Sequence, residues 1–222
     1  MNDLVRLNTK AKRIKDPFSY LENFASGKKI LNVGAAGGVK GYLPNNKNVW
    51  LHHRLAIAAK DIVGIDIDVD GIEYAESHGV HILNANCENV DLGKLFDLIV
   101  ISDVIEHMNA PVYAVENLMK HLTPDGCLCV TTPNATSGMT FARILAGKPP
   151  NVYWDHVAVY CPEHIQAICD RFGYVLSEVL FFDHVDRRST VNIAKSYISL
   201  AVSAIYPRLS TSFMAVIRHA GN

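Results

Sequence analysis

The residues whose types and spacing could do chemistry lie just past apolar runs. Gly34, Gly37, Gly38 and Gly41 follow Ile30, Leu31 and Val33. Glycines there let the backbone take positive φ and leave no Cβ between a ligand and the amides. A tight strand-to-helix connection would use the same glycines, so the next stretch matters. Asp66 ends the apolar run that begins at Asp61, and a carboxylate at a strand tip can accept two hydrogen bonds from a ribose diol. Further on, His107 follows the apolar run from Phe96 to Asp103, and His156 lies in a long loop. Imidazole titrates near neutral pH, so both are candidates to remove a proton from a bound molecule. Glu106 could orient His107, and Tyr153, Trp154 and Tyr160 could line a pocket.

Positioning these groups requires strands alternating with helices. Residues 1–15 read as a loose arm or a leading helix. Asp16-Pro17 then reads as a helix start, with Phe18, Leu21 and Phe24 at helical spacing and Gly27 as the stop. This helix is expected over the sheet edge. The gap from Gly34 to Asp66 exceeds the ~20 residues of a dinucleotide fingerprint, and an insertion near 41–49 accounts for the excess. Trp50 to Lys60 reads as a crossover helix with His52 and His53 in solvent, and Asp70 to Ser77 as a second, leading to a short strand near His81 to Leu83. Phe96 to Asp103 is the clearest buried strand, and Pro111 opens a helix with Val112, Val115, Leu118, Met119 and Leu122 on one face. Thr123 to Gly126 reads as a turn and Cys127 to Thr131 as a fifth strand. A helix from Pro162 to Phe172, a strand from Tyr174 to Phe182, an apolar segment from Val191 to Tyr206 and a strand from Ser212 to Arg218 complete the chain. Such alternation predicts an α/β, doubly wound sheet with its ligand past the strand ends.

Composition narrows the function. A chain of 222 residues with net charge −1 fits one domain with a substantial core. It lacks the basic surface of a nucleic-acid binder. Five cysteines, without zinc-ligand spacing, read as reduced thiols, so no metal site is expected and a cytoplasmic location is. Cys127 and Cys129 share a strand face and read as core. No apolar run reaches the ~20 residues of a membrane span. The Val191 to Tyr206 segment is expected to pack on the sheet or to form a homodimer contact, a role favoured over membrane docking because Lys195 is its one cation.

In order and spacing the motifs resemble those of class I S-adenosylmethionine-dependent methyltransferases, over roughly Lys28 to His219. Leu31 to Gly38 takes the place of an apolar strand followed by D-x-G-x-G-x-G, with Asn32 replacing the acidic residue and Ala36 the middle glycine. Val63 to Asp68, Asn86-Cys87, Phe96 to His107, Leu122 to Gly126 and Thr131 to Asn134 match later motifs. The resemblance implies a Rossmann-like, mostly parallel sheet with one antiparallel strand near the C-terminus. It implies a single domain over 1–222, with an arm or helix at 1–27 and insertions near 41–49 and 184–208. It also implies S-adenosylmethionine held by Gly34, Ala36, Gly38, Asp66, Ile67, Asn86, Cys87 and Ser102, with Asp66 on the ribose and Ile67 on the adenine. The acceptor is then a small molecule of the quinone or sugar kind. Trp50-Leu51-His52 hints at a glycan precursor, and His107 and His156 become the candidate bases for an acceptor hydroxyl. Two alternatives stay open. A nicotinamide-dependent oxidoreductase or epimerase could use the same turn, although none of the nine tyrosines has the lysine four residues on that a short-chain dehydrogenase needs. A non-catalytic partner subunit could keep the fold alone.

Overall fold

The computed structural model describes residues 4–7 and 9–221. In chain order the elements are β1 (Ala11–Arg13), α1 (Pro17–Ala25), β2 (Lys29–Val33), α2 (Val39–Tyr42), α3 (Leu51–Ala58), β3 (Asp61–Asp66), α4 (Val69–Glu76) and β4 (Leu83–Asn84). After these come β5 (Phe96–Ser102), α5 (Pro111–Met119), β6 (Leu122–Pro133), α6 (Gly138–Leu145), α7 (Pro162–Phe172), β7 (Tyr174–Phe182), α8 (Thr190–Ile205) and β8 (Ser212–His219). Short 3-10 turns occupy Lys47–Val49, Ile105–His107 and Pro207–Leu209.

The strands form one eight-stranded sheet in the order β1-β7-β8-β6-β5-β2-β3-β4. All pairs are parallel except those of β8, which runs antiparallel to both β6 and β7. Strand order reverses between β2 and β5, and the crevice beyond their carboxyl ends is where an open α/β sheet binds its ligand.

Alternation along the central strands builds two apolar layers. Leu31, Val33, Ile99 and Ile101 face α5 and α7 on one side. Ile30, Leu98 and Val100 meet Leu21 and Ala25 of α1 and Leu55 of α3 on the other, together with Cys127 and Cys129. Each fully buried Leu or Ile contributes ~1.5–3 kcal/mol, so the strand ends are carried on a rigid frame. Helix α1 thus lies across a sheet face and not over its edge. Its start is as read from sequence: Asp16 Oδ1 accepts from the amides of Phe18 at 2.9 Å and Ser19 at 3.2 Å.

Four expectations are corrected. Part of the leading arm is an ordered edge strand, since β1 pairs in parallel with Val179 to Phe181 of β7; residues 1–3 and 8 lie outside the described residues. The stretch from Thr123 to Gly126 is not a separate turn but the entry of β6, absorbed by a register shift against β5. Helix α6, ahead of the long loop, is not among the expected elements, although Ser137 caps it and its apolar residues share a face; Phe141, Ile144 and Leu145 stay exposed. His52 is not solvated: it is 5% exposed, because α3 turns it under the sheet toward Asn32. Among the described residues, no helix is long and apolar enough to cross a membrane.

Candidate active site

The turn after β2 is pinned to the neighbouring strand. Gly34 (φ 74°) and Ala35 donate their amides to the Ile65 carbonyl at 3.0 and 3.1 Å, and a Cβ on Gly34 would overlap Val104 Cγ2. Gly38, at φ 69°, then opens α2. Asp66 ties the second strand end to this turn. Its Oδ2 accepts from the Ala36 amide at 2.8 Å, and its Oδ1 from the amides of Ile67 at 2.7 Å and Asp68 at 3.0 Å. Oδ2, with a single protein donor, has a lone pair left for a ribose hydroxyl.

Beside Asp66, Ile67 is 68% exposed and Leu83 is also exposed, a flat apolar surface suited to a nucleobase. Asn86 Oδ1 accepts from the Glu88 amide at 2.9 Å, leaving the amide nitrogen as a donor. Cys87 is different. Its side chain sits in the main apolar cluster and burial pushes the thiol up to about 12, so only its backbone faces outward chemistry. Ser102 Oγ shares a hydrogen bond with Thr131 Oγ1 at 3.0 Å, linking β5 to β6.

The departures from the acidic glycine motif have a physical partner. Asn32 is buried and its Nδ2 lies 3.2 Å from His52 Nδ1. Burial, with the nearby His53, holds His52 down to about 4, so the ring is neutral at pH 7 and accepts the amide hydrogen. A Cβ on Gly64 would come within 2.7 Å of the same ring. Trp50, too, is a support: it is buried and donates Nε1 to the Ala35 carbonyl at 3.1 Å. The Trp50 signal that hinted at a glycan precursor is therefore a brace for the glycine turn.

Past the end of β5 a cavity of about 1060 Å³ opens. Asp103, Glu106, His107, His156 and His184 line it together with α6, the loop after it and α8. Asp103 holds φ 51°, a left-handed conformation costing roughly 1 kcal/mol in an L-residue. The protein packed around it raises its carboxyl, against the pull of His184, His156 and His107. Glu106 is 1% exposed. Its Oε2 accepts from Thr132 Oγ1 at 3.0 Å, whereas Oε1 has no partner among the described residues. Burial, and less so Asp103, pushes Glu106 up to about 7.

His107 and His156 meet edge to face, with ring centroids 4.6 Å apart. His107 Nδ1 lies 3.1 Å from the Asp155 carbonyl. A carbonyl only accepts, so Nδ1 carries the hydrogen and Nε2 holds the lone pair when the ring is neutral. Burial first, then His107, lowers His156. One ligand atom from each of Glu106, His107 and His156 lies within 4.8 Å of the others. The spacing of cysteines and histidines gave no hint of this set, because its members come from two separate loops. Tyr153 lines the cavity, whereas Tyr160 is buried in the main core and Trp154 is 96% exposed outside it. Asp103, His184 and the α8 wall were not singled out by sequence. A backbone angle and a tertiary contact leave no motif.

A glycine turn joined to a strand-end carboxylate at the switch point of a doubly wound sheet, beside a large cavity, is the arrangement in which this fold class receives a nucleoside cofactor. The chain belongs to the methyltransferase domain family, which matches residues 7–179. Its cofactor is S-adenosylmethionine, so the nicotinamide-dependent alternative loses its support. It is 29% identical over 150 residues to a ubiquinone biosynthesis O-methyltransferase of Rickettsia conorii, covering 63% of this chain and 48% of that protein. It is 26% identical over 171 residues to the mitochondrial protein of the same description from Bos taurus, covering 70% and 43%. The chain thus spans about half the length of these relatives. Among solved structures it shares its fold with a SAM-dependent methyltransferase of Archaeoglobus fulgidus (TM-score 0.59, 15% identity, 90% and 89% covered). It also shares it with the N-methyltransferase NodS of Bradyrhizobium japonicum bound to S-adenosyl-L-homocysteine (TM-score 0.56, 17% identity, 93% and 89% covered).

Proposed function

We propose that the protein methylates a hydroxyl of a small aromatic molecule of the quinone-precursor kind. The observation that carries this reading is the convergence of Glu106, His107 and His156 in the cavity, next to the strand ends that hold the nucleoside. The relatives described as ubiquinone biosynthesis O-methyltransferases favour an aromatic hydroxyl over a sugar. S-adenosylmethionine supplies an electrophilic methyl group on sulfur. Asp66 and the Gly34 turn hold its nucleoside, Ile67 covers the base, and the cavity presents the acceptor oxygen in line while excluding water. His156, neutral because burial and His107 lower it, accepts the hydroxyl proton, and His107 keeps its Nε2 lone pair directed away from Asp155.

The test incubates the protein with S-adenosylmethionine and 3,4-dihydroxybenzoate and follows S-adenosylhomocysteine by mass spectrometry. Product from the wild type and at least a tenfold loss in His156→Ala are expected. Cofactor binding by calorimetry without turnover on any phenol, but with turnover on a sugar panel, would reverse the choice of acceptor.

A second reading of the same groups rests on the orphaned Glu106 Oε1. Glu106, His107 and His156 would hold a divalent cation there, and the cation would lower the pKa of a bound hydroxyl. Chelation separates the two: turnover lost in EDTA and restored by Mg²⁺ or Zn²⁺ selects the cation, and turnover untouched by EDTA selects the histidine. Two finer expectations belong to this proposal. A second copy meeting the outward side of α8 is tested by sedimentation at two concentrations, and a cytoplasmic location is favoured by the five free thiols.

A further inference from the structure

Helix α8 is attached to the body in an unusual way. Its buried residues are Ser199 and Ser203, and none of its side chains joins an apolar cluster of the core. The side turned inward runs through Asn192, Ile193, Ser196, Ser199, Leu200 and Ser203, with the two serines 199 and 203 the most deeply buried, whereas Val191, Tyr197, Ile198 and Ile205 are exposed. A helix normally buries an apolar stripe most deeply; here Ile193 and Leu200 are only half-buried and the deepest positions are hydroxyls.

Those hydroxyls converge on one carboxylate at the end of β7. Asp183 Oδ1 accepts from Ser199 Oγ at 2.9 Å and from the Thr211 amide at 3.0 Å, and Oδ2 accepts from Ser203 Oγ at 2.6 Å. Arg13 of β1 completes the group, with Nη2 3.7 Å from Oδ2 and Nε donating to Ser203 Oγ at 3.1 Å. Burial pushes the Asp183 carboxyl up, but the bonds from Ser203, Thr211 and Ser199 bring it below its ordinary value. Near the helix start a lighter contact repeats the pattern: the Asp186 amide donates to Ser196 Oγ at 3.0 Å and Asn192 Nδ2 to Asp186 Oδ2 at 2.9 Å. Antiparallel strands such as β7 and β8 can be joined by two residues. Here the connection carries α8 instead, and its Asn192, Lys195, Ser196 and Ser199 line the cavity. His184, next to Asp183, lines it as well.

We infer that Asp183 is a positioning residue: through Ser199 and Ser203 it clasps α8 over the cavity, so that the acceptor is admitted and gripped by a wall that lifts as a unit. The assignment of that cavity to the acceptor rests on the proposed function. A helix seated by apolar burial would resist lifting by the area it hides. A helix seated on a few hydrogen bonds, each of modest net worth because water competes for the same groups, opens at far lower cost once the carboxylate is neutralised by substitution.

The test compares the wild type with Asp183→Asn and with the Ser199→Ala/Ser203→Ala double variant by hydrogen exchange and calorimetry. In both variants amide exchange across 190–205 is expected to speed up at least tenfold, while β2 and β5 keep their protection and S-adenosylmethionine affinity stays within twofold. With 3,4-dihydroxybenzoate as the probe, KM is expected to rise at least fivefold with kcat within twofold. Unchanged α8 exchange in both variants overturns the inference. So does a uniform loss of protection across the sheet with loss of cofactor binding, because Asp183 would then be holding the whole fold. A wild type that binds no S-adenosylmethionine would instead sink the functional reading, and the exchange measurement, which needs no acceptor, would still decide the clasp.

Discussion

The Ala36 amide and the Asp66 carboxylate are hydrogen-bonded at 2.8 Å, so the glycine turn after β2 and the end of β3 are joined directly. The carboxylate shapes the turn, and in the proposed function it also holds the ribose.

Replacing Asp66 should therefore act twice. Asp66→Asn keeps the shape, but its amide group cannot accept at both ends. S-adenosylmethionine affinity is expected to fall at least tenfold, equivalent to ~1.4 kcal/mol, as read by isothermal titration. Affinity within twofold of the wild type would remove Asp66 from the binding site.

Glu106 trades stability for chemistry. Its folded pKa of about 7 lies above its ordinary 4.5, so the folded state binds more protons between those values and stability declines as pH rises from 4.5 to 7. Glu106→Gln is expected to raise stability at pH 8 by ~3 kcal/mol, from roughly 2.5 pKa units at 1.36 kcal/mol each. Methyl transfer should fall at least tenfold in the same variant. Denaturant melts at pH 5 and 8 supply the first number and S-adenosylhomocysteine release the second.

His52 gives the opposite slope. Its pKa falls from 6.5 in the unfolded chain to about 4 when folded, so as pH drops through that window the unfolded state gains protons that the folded state refuses. A loss of ~3 kcal/mol is expected between pH 6.5 and 4, again at 1.36 kcal/mol per unit. Asn32→Asp should flatten this slope by giving the ring an anionic partner. An unchanged slope would mean that Asn32 does not govern His52.

The Trp50 brace is open to a direct test. Trp50→Phe removes the bond to the Ala35 carbonyl, costing ~1 kcal/mol of stability, and is expected to weaken cofactor binding several-fold by loosening the glycine turn. A variant destabilised to this extent with full cofactor affinity would limit Trp50 to packing.

The elements that sequence located were those with strong local grammar. Helix α7 begins at Pro162 and ends before Gly173, which holds φ 71°, and β7 follows it as a run of apolar residues, so both were placed to the residue. The turn after β2 and the aspartate ending β3 were equally readable, because glycines and a terminal carboxylate mark fixed points on the strands. Helix α6 was missed although its apolar residues gather on one face, because it is only eight residues long and none of them is buried. His52 was misplaced because its neighbours on α3 are partly exposed and only the fold turns it inward. The acceptor half depends on Asp103 adopting a positive φ and on two distant loops meeting at His107 and His156, neither of which has a local signature.

The short strand β1 has a practical consequence. A protein engineer would be tempted to trim the first fifteen residues as an idle leader. Doing so would strip β7 of its parallel neighbour and expose a raw sheet edge, an invitation to intermolecular pairing. It would also take away the Arg13 guanidinium beside Asp183, so a cut at one end of the polypeptide would be felt at the substrate gate formed by the other.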